Sequence, residues 1–197
     1  MKTNYILKIL LIAMLSVSSA YALKKDEIKA QMTSKIDNVL LILEKKELNT
    51  KQKGDEIIKV IDEVFDYDLM ARISLGKETW NSLSSEKQKE FTKVFENKLK
   101  KSYIEKLELY NDQKVKVIDL LPYNNTRLQL ETQLIGKNEV YTINYNFYSK
   151  DGSEWLIYDV DLVGVSIIQT YRQQFAGLLK EKTFDEMLAL LKDSNTK

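Results

Sequence analysis

The chain has no cysteine and no histidine among its 197 residues. Their absence removes thiolate and imidazole nucleophiles, the commonest general base and the ligands of ordinary zinc sites. It also removes disulfides, so a hydrophobic core has to hold the fold together. One proline and six glycines leave little room for flexible linkers. Neither repeats nor low-complexity runs divide the sequence, which reads as a single domain. Arginine is scarce too, with Arg72, Arg127 and Arg172 alone among 30 basic residues. There is no glycine-rich phosphate loop and no nucleophile elbow.

Among the features present, the first is an address. Lys2 and Lys8 flank the start, and Ile9 to Val17 is apolar except for Ser16. Ser18, Ser19 and Ala20 follow, and then Ala22 after Tyr21. A positive start, a short apolar stretch and small residues at the end make residues 1–22 a secretory signal peptide, cleaved after Ala22. A membrane anchor is the alternative, but the apolar stretch is well short of the roughly 20 residues a bilayer requires. No cysteine follows to carry a lipid, and no later segment is long and apolar enough to span a membrane. Cleavage would leave 28 basic and 29 acidic residues, a net charge of about −1. Such a balance argues against a nucleic-acid partner.

Residues 23–197 fall into three zones. The first, to about residue 109, is helical: Ile36, Val39, Leu40 and Leu43 form one stripe, and Ile57, Ile58, Ile61, Val64 and Phe65 another. A turn from Leu48 to Gly54 is expected between them. Asp66 or Asp68 caps a short helix that Gly76 stops, and Ser84 caps a long one with Phe91, Val94, Phe95, Leu99 and Tyr103 on its inner face. The second zone, Val115 to Val163, is a sheet. Leu128, Leu130, Thr132 and Leu134 alternate with polar residues, as do Tyr141, Ile143, Tyr145 and Phe147 on the next strand. Asp151-Gly152 marks a hairpin, and Trp155 to Val163 makes the last strand. In the third zone Val165, Ile167, Ile168, Tyr171, Phe175 and Leu178 mark a helix, and Thr183 to Glu186 is a capping box opening another. The order gives an α+β fold with helices packed on one face of an antiparallel sheet.

Carboxylates are the remaining candidates for chemistry. Helix capping explains Asp66 and Asp68. Asp159 and Asp161 are expected on the strand face of Trp155 and Ile157, as a structural pair or rim groups rather than catalytic acids. Calcium-loop spacing is absent, and nothing supports an enzyme. The lysines of the long helix read as a solvated face. Trp80, Phe91, Phe95, Tyr103, Tyr141, Tyr145, Phe147, Trp155, Tyr158, Tyr171 and Phe175 lie mostly on faces expected to point inward. Periodicity alone fits either an ordinary core or an apolar cavity. Arg72 and Arg172 stand in aromatic-rich segments, either paired with Asp66, Asp68, Asp159 or Asp161, or gripping an anionic headgroup.

Two blocks carry a family resemblance. Phe65-Asp66-Tyr67-Asp68-Leu69-Met70-Ala71-Arg72, with Leu75-Gly76, Trp80 and Leu83-Ser84, is the first. The second is Trp155, Ile157-Tyr158-Asp159-Val160, Gly164-Val165-Ser166, Tyr171-Arg172 and Gln174-Phe175, continued by Thr183-Phe184-Asp185 and Leu191. In this order and spacing they resemble the MlaC or toluene-tolerance family. The resemblance implies a curved antiparallel sheet wrapped by helices, nuclear-transport-factor-two-like, with an N-terminal helical part. It implies a monomeric periplasmic carrier that shuttles phospholipid between an inner-membrane transporter with MCE-domain and ABC subunits and an outer-membrane lipoprotein–porin complex, so maintaining outer-membrane lipid asymmetry. Phospholipid is then the ligand, with no other cofactor and no metal. Candidate tail contacts are Leu69, Met70, Ile73 and Trp80; Phe91, Phe95, Leu99 and Tyr103; Leu130, Tyr141, Ile143, Tyr145, Phe147 and Trp155; and Val165, Ile168, Tyr171 and Phe175. Arg72, Arg172 and Asp159 are candidate structural or headgroup residues. A binder of another hydrophobic solute, or a periplasmic chaperone, would be the alternative.

Overall fold

A computed structural model describes residues 22–196, so almost all of the expected leader lies outside the described residues. Helices come first. α1 (Ile28–Glu44) and α2 (Thr50–Ile61) form an antiparallel pair. The turn between them ends at Asn49, whose side chain accepts from the Gln52 N–H while Gln52 returns a bond to the Asn49 N–H. This capping box starts α2 before Gly54, which is a helical residue and not part of the expected turn. A 3₁₀ turn (Asp62–Val64) leads to α3 (Tyr67–Leu75), capped by Asp66 and stopped by Gly76 at φ 88°. After the short α4 (Lys77–Ser82), Ser84 caps α5 (Ser85–Ile104) through the Lys87 N–H.

The sheet is a five-stranded antiparallel meander in chain order: β1 (Lys114–Asn124), β2 (Arg127–Ile135), β3 (Val140–Tyr148), β4 (Leu156–Leu162) and β5 (Val165–Ser166). Pro122 sits on the edge strand β1, where a missing donor disturbs the ladder least. Leu128, Leu130, Thr132 and Phe147 point into the molecule, and Gln129, Asn144 and Asn146 lie on the opposite face. The segment before α1 is tied to the same sheet, since Leu23 and Trp155 exchange two backbone hydrogen bonds of 3.0 and 2.9 Å.

A β-bulge changes the expected reading of β4. Phe147 pairs with Ile157, but Tyr145 pairs with Val160, so one extra residue is inserted on β4. Beyond the bulge Val160 and Leu162 share the face of Tyr145 and Ile143, and Asp161 lies opposite Asn144 on the other face. Asp159, paired with Asn146, and Asp161 are therefore both off the face of Ile157, contrary to the expected placement. Tyr158 also departs from the inward set: it stacks edge-on with Tyr148 and lies under the Arg127 guanidinium.

Val163 and Gly164 form a two-residue turn with both φ positive, 53° and 81°. That is the twist of a tight β-hairpin, and it pairs Leu162 with Val165 in β5. Val165 is consequently a strand residue, 59% exposed, rather than the first residue of the following helix. That helix, α6 (Ile167–Leu178), is capped by Ser166, and α7 (Phe184–Thr196) by the reciprocal Thr183–Glu186 box.

Two hydrophobic cores result. Met70, Leu75, Phe91, Phe95, Leu99, Ile168, Phe175 and Met187 join α3, α5, α6 and α7 into a helical core. Its aromatic rings interlock, with Phe91–Phe175 at 5.6 Å and Phe95–Tyr171 at 5.1 Å edge to face. Leu23, Ile28, Met32, Val64, Leu128, Leu130, Phe147, Trp155 and Ile157 join α1 to the sheet. Phe65 packs against both. The space between the two cores is not filled.

Candidate functional site

Between the two cores lies an apolar cavity of about 270 Å³. Gly54, Ile57, Ile58 and Ile61 of α2 form one wall, and Ile143, Tyr145, Val160 and Leu162 of the sheet form another. Met70, Leu99, Tyr103 and Ile104 close it from α3 and α5. A second cavity of about 210 Å³ runs between α1, α2 and the sheet, lined by Met32, Ile36, Val39, Leu40, Val115 and Leu134 among others. Ile57, Ile61, Phe65 and Tyr145 line both. The site is thus a two-lobed apolar space with those four side chains as its partition.

Gly54 continues the Ile57-Ile58-Ile61 stripe one turn earlier, and the Ile104 side chain occupies the space that a side chain there would take. A β-carbon there would lie 2.6 to 2.9 Å from three side-chain atoms of Ile104, so glycine sets how closely α2 approaches α5. Burial alone pushes the Tyr145 hydroxyl up to about 12. Tyr103 and Leu162 are the most solvent-exposed apolar residues that line it, each 39% exposed.

Each lobe has one charged lining residue, and both lysines grip the 3₁₀ turn after α2. Lys35 of α1 donates to the Val60 carbonyl at 2.8 Å and pairs with Glu63. Lys100 of α5 pairs with Asp62 at 2.5 Å and with Glu96, and lies 4.8 Å from the Tyr67 ring centroid. The Tyr67 hydroxyl donates to Asp62 at 2.9 Å. Burial, followed by the Asp62 carboxylate, raises the Tyr67 hydroxyl well above its ordinary value.

The expected contact residues separate into groups. Met70, Leu99, Tyr103, Ile143 and Tyr145 line the larger lobe. Phe91, Phe95, Ile168 and Phe175 are buried in the helical core, with Ile73, Trp80 and Tyr171 packed on its edge. Leu130, Phe147 and Trp155 belong to the sheet core. Leu69, Arg72 and Trp80 border an open surface basin with Asp66, Asp68, Tyr148 and Lys150. Tyr141 is 41% exposed, which departs from its expected inward position, and Arg172 is exposed like Val165. The α1 and α2 wall and the partition residue Phe65 are absent from the expected set, although their stripes are visible in the sequence.

Asp159 is buried without an arginine, contrary to the expected pairing. Its carboxylate accepts from the Ser166 hydroxyl at 2.6 Å and the Ile168 N–H at 3.1 Å, fixing the start of α6. Burial outweighs these bonds and raises its pKa above the ordinary 3.8. The folded chain therefore holds this proton at pH values where the unfolded chain has lost it. The contribution of Asp159 to stability thus falls as pH rises from 3.8 through the raised value. Asp159→Asn is expected to flatten that acid-range slope without loss of stability at neutral pH, as read by urea titrations across the range. A large loss at neutral pH would mean that the charge itself anchors α6. Among the described residues no group of carboxylates is placed to hold a metal ion, and no helix is long and apolar enough to cross a membrane.

A solved structure shares this architecture. The phospholipid-binding protein of Ralstonia solanacearum, solved in complex with a phospholipid, superposes with a TM-score of 0.72 at 20% identity, over 85% of this chain and 96% of that one. The intermembrane phospholipid transport system binding protein MlaC of Haemophilus influenzae is 24% identical over 119 residues, spanning 58% of this chain and 56% of that relative. The family model described as MlaC protein matches residues 33–193. A match over that much of the sequence establishes that the chain belongs to the MlaC family.

Proposed function

We propose that this protein is a periplasmic phospholipid carrier and that the two-lobed cavity holds the acyl tails. The observation carrying the proposal is an apolar space divided by Ile57, Ile61, Phe65 and Tyr145, one lobe for each tail of a two-tailed lipid. Family membership and the lipid-bound fold relative support it. Each lobe, at about 270 and 210 Å³, lies below the roughly 300–1,000 Å³ of ordinary ligand pockets, so taking up two tails requires the walls to move apart.

Residues 1–22 act as the leader, and residues 23–197 form the monomeric lipid-binding domain. The carrier receives and delivers lipid between an inner-membrane MCE-domain and ABC transporter and an outer-membrane lipoprotein–porin complex. Docked transfer follows from energetics. Burying roughly 30 methylenes at about 0.8 kcal/mol each stabilises the bound lipid by about 25 kcal/mol relative to water. Release into water is negligible on that scale, so the lobes must open against a partner.

Gly54→Val tests the site. Its side chain would drive Ile104 toward the cavity, so bound phospholipid per protein should fall by about tenfold, equivalent to about 1.4 kcal/mol. Ile104→Ala in the same chain should restore loading, as quantified by lipid phosphorus after solvent extraction. Unchanged loading in Gly54→Val would place the ligand elsewhere.

A further inference from the structure

Three tyrosines line the larger lobe, and their hydroxyls differ in what they meet. Tyr67 donates to Asp62 at 2.9 Å. Tyr103 is 39% exposed, within reach of water. Tyr145 has neither a carboxylate nor the solvent. It stands in the middle of β3, paired with Leu130 and Val160 on the flanking strands, and it lines both lobes. Its companions on the partition are Ile57, Ile61 and Phe65, whose side chains can neither donate nor accept. Among the described residues the Tyr145 hydroxyl has no hydrogen-bond partner. The unpaired side-chain atoms sealed off from any open space are Thr92 Oγ1 and Asn144 Oδ1, and the Tyr145 hydroxyl is not one of them. It therefore faces open space, and that space is the cavity whose two lobes it lines. A buried donor left unpaired is destabilising, so this one points to an acceptor that the chain itself does not supply.

We propose that the Tyr145 hydroxyl donates a hydrogen bond to an ester carbonyl of the bound lipid, and that this bond selects diacyl lipids over ether-linked ones. The inference rests on the carrier reading above. Two tails held in separate lobes diverge from one glycerol backbone, so their ester groups lie where the lobes adjoin. Tyr145 is one of the four residues shared by both lobes. An ester carbonyl is the polar group nearest the hydrocarbon; it accepts without donating and carries no charge. It therefore suits a single neutral donor set in an apolar wall. A phosphate would call for charged donors, and the two lysines on the lining are already paired with carboxylates. An ether-linked lipid of the same length fills the lobes equally well but has no carbonyl, and the hydroxyl stays unpaired. A site that offers a buried hydrogen bond rejects the analogue that cannot complete it.

The test uses delipidated protein and vesicles holding equal amounts of diester and diether phosphatidylethanolamine, matched in chain length and unsaturation. The protein is re-isolated and the extracted lipids are quantified by mass spectrometry. The diester-to-diether ratio on the wild type should exceed that on Tyr145→Phe by about fivefold, equivalent to about 1 kcal/mol for one neutral hydrogen bond. Comparing the two proteins on the same vesicles cancels any difference in how readily each lipid leaves the bilayer. Infrared spectra of the bound diester lipid supply a second reading, since a hydrogen-bonded ester carbonyl absorbs at lower frequency, and Tyr145→Phe should lose that shifted band. Urea titration of the delipidated variant should show stability equal to or above the wild type, because the lost hydroxyl had no partner in the protein. The same ratio on both proteins, or a shifted carbonyl band that survives Tyr145→Phe, overturns the assignment. Uptake of neither lipid by the wild type would instead sink the carrier reading, and this inference with it.

Discussion

Ile57→Trp should empty the protein of phospholipid while leaving it folded. Ile57 is buried in α2 and lines both lobes, so an indole there occupies space on each side of the partition. In a filled core such an enlargement costs about 1–3 kcal/mol through overpacking. In a cavity the new ring finds room, and the ligand-free protein should keep its stability or gain some. Bound phospholipid should drop by more than about tenfold, since a two-tailed lipid loses part of both lobes. Extraction with lipid quantification, beside urea titration of the delipidated protein, reads the two effects separately. Stability falling with loading unchanged would identify Ile57 as an ordinary core residue.

Phe91→Ala should do the opposite. Phe91 is fully buried, with its ring 5.9 Å from Phe95 and 5.6 Å from Phe175, and it lines neither lobe. Truncation removes apolar contacts and leaves a void in the helical core, a loss of about 3–5 kcal/mol. Against a total stability of about 5–15 kcal/mol that is severe. The fraction that remains folded should still carry lipid at the wild-type ratio. Urea midpoints and lipid per folded protein check both halves of the expectation. Together the two variants separate the residues that hold the fold from those that enclose the ligand, a distinction that inward-facing periodicity cannot draw.

Sequence and structure agree where the determinants are local. Asp66, Ser84 and Thr183 cap the helices they announce, because a short polar side chain ahead of an apolar stripe satisfies nearby N–H groups without help from distant residues. Strand β2 follows its alternation because one face is buried, whereas β3 keeps the register but is half-buried on both faces from Ile143 to Asn146. Disagreement begins where the geometry is set by pairing. The bulge in β4 adds one residue that no residue type signals, and it exchanges Asp161 for Val160 and Leu162 on the cavity face. Val163 adopts a left-handed conformation that β-branched residues rarely occupy. The tight turn was therefore not legible, and Val165 read as helix.

The lining of the cavity was legible in part. Tyr145, Ile143, Met70, Leu99 and Tyr103 follow from period and face. Phe91, Phe95 and Phe175 follow from the same pattern yet fill a core. Whether a face is filled depends on the distance between elements, and here Gly54 sets that distance against Ile104. Its position in step with Ile57, Ile58 and Ile61 was the available sign, a place in an apolar stripe where a neighbouring helix can come close. Lys100 was indistinguishable in sequence from the other lysines of α5. Only the approach of the 3₁₀ turn distinguishes it.

The most direct measurement is native mass spectrometry of the protein purified without detergent from a double-membraned bacterium, with solvent extraction of the same sample. A mature chain beginning at Leu23, carrying near-stoichiometric two-tailed phospholipid that Ile57→Trp removes, is the expected result. A folded protein with no phospholipid in either measurement, able instead to suppress aggregation of unfolded outer-membrane proteins, would contradict it.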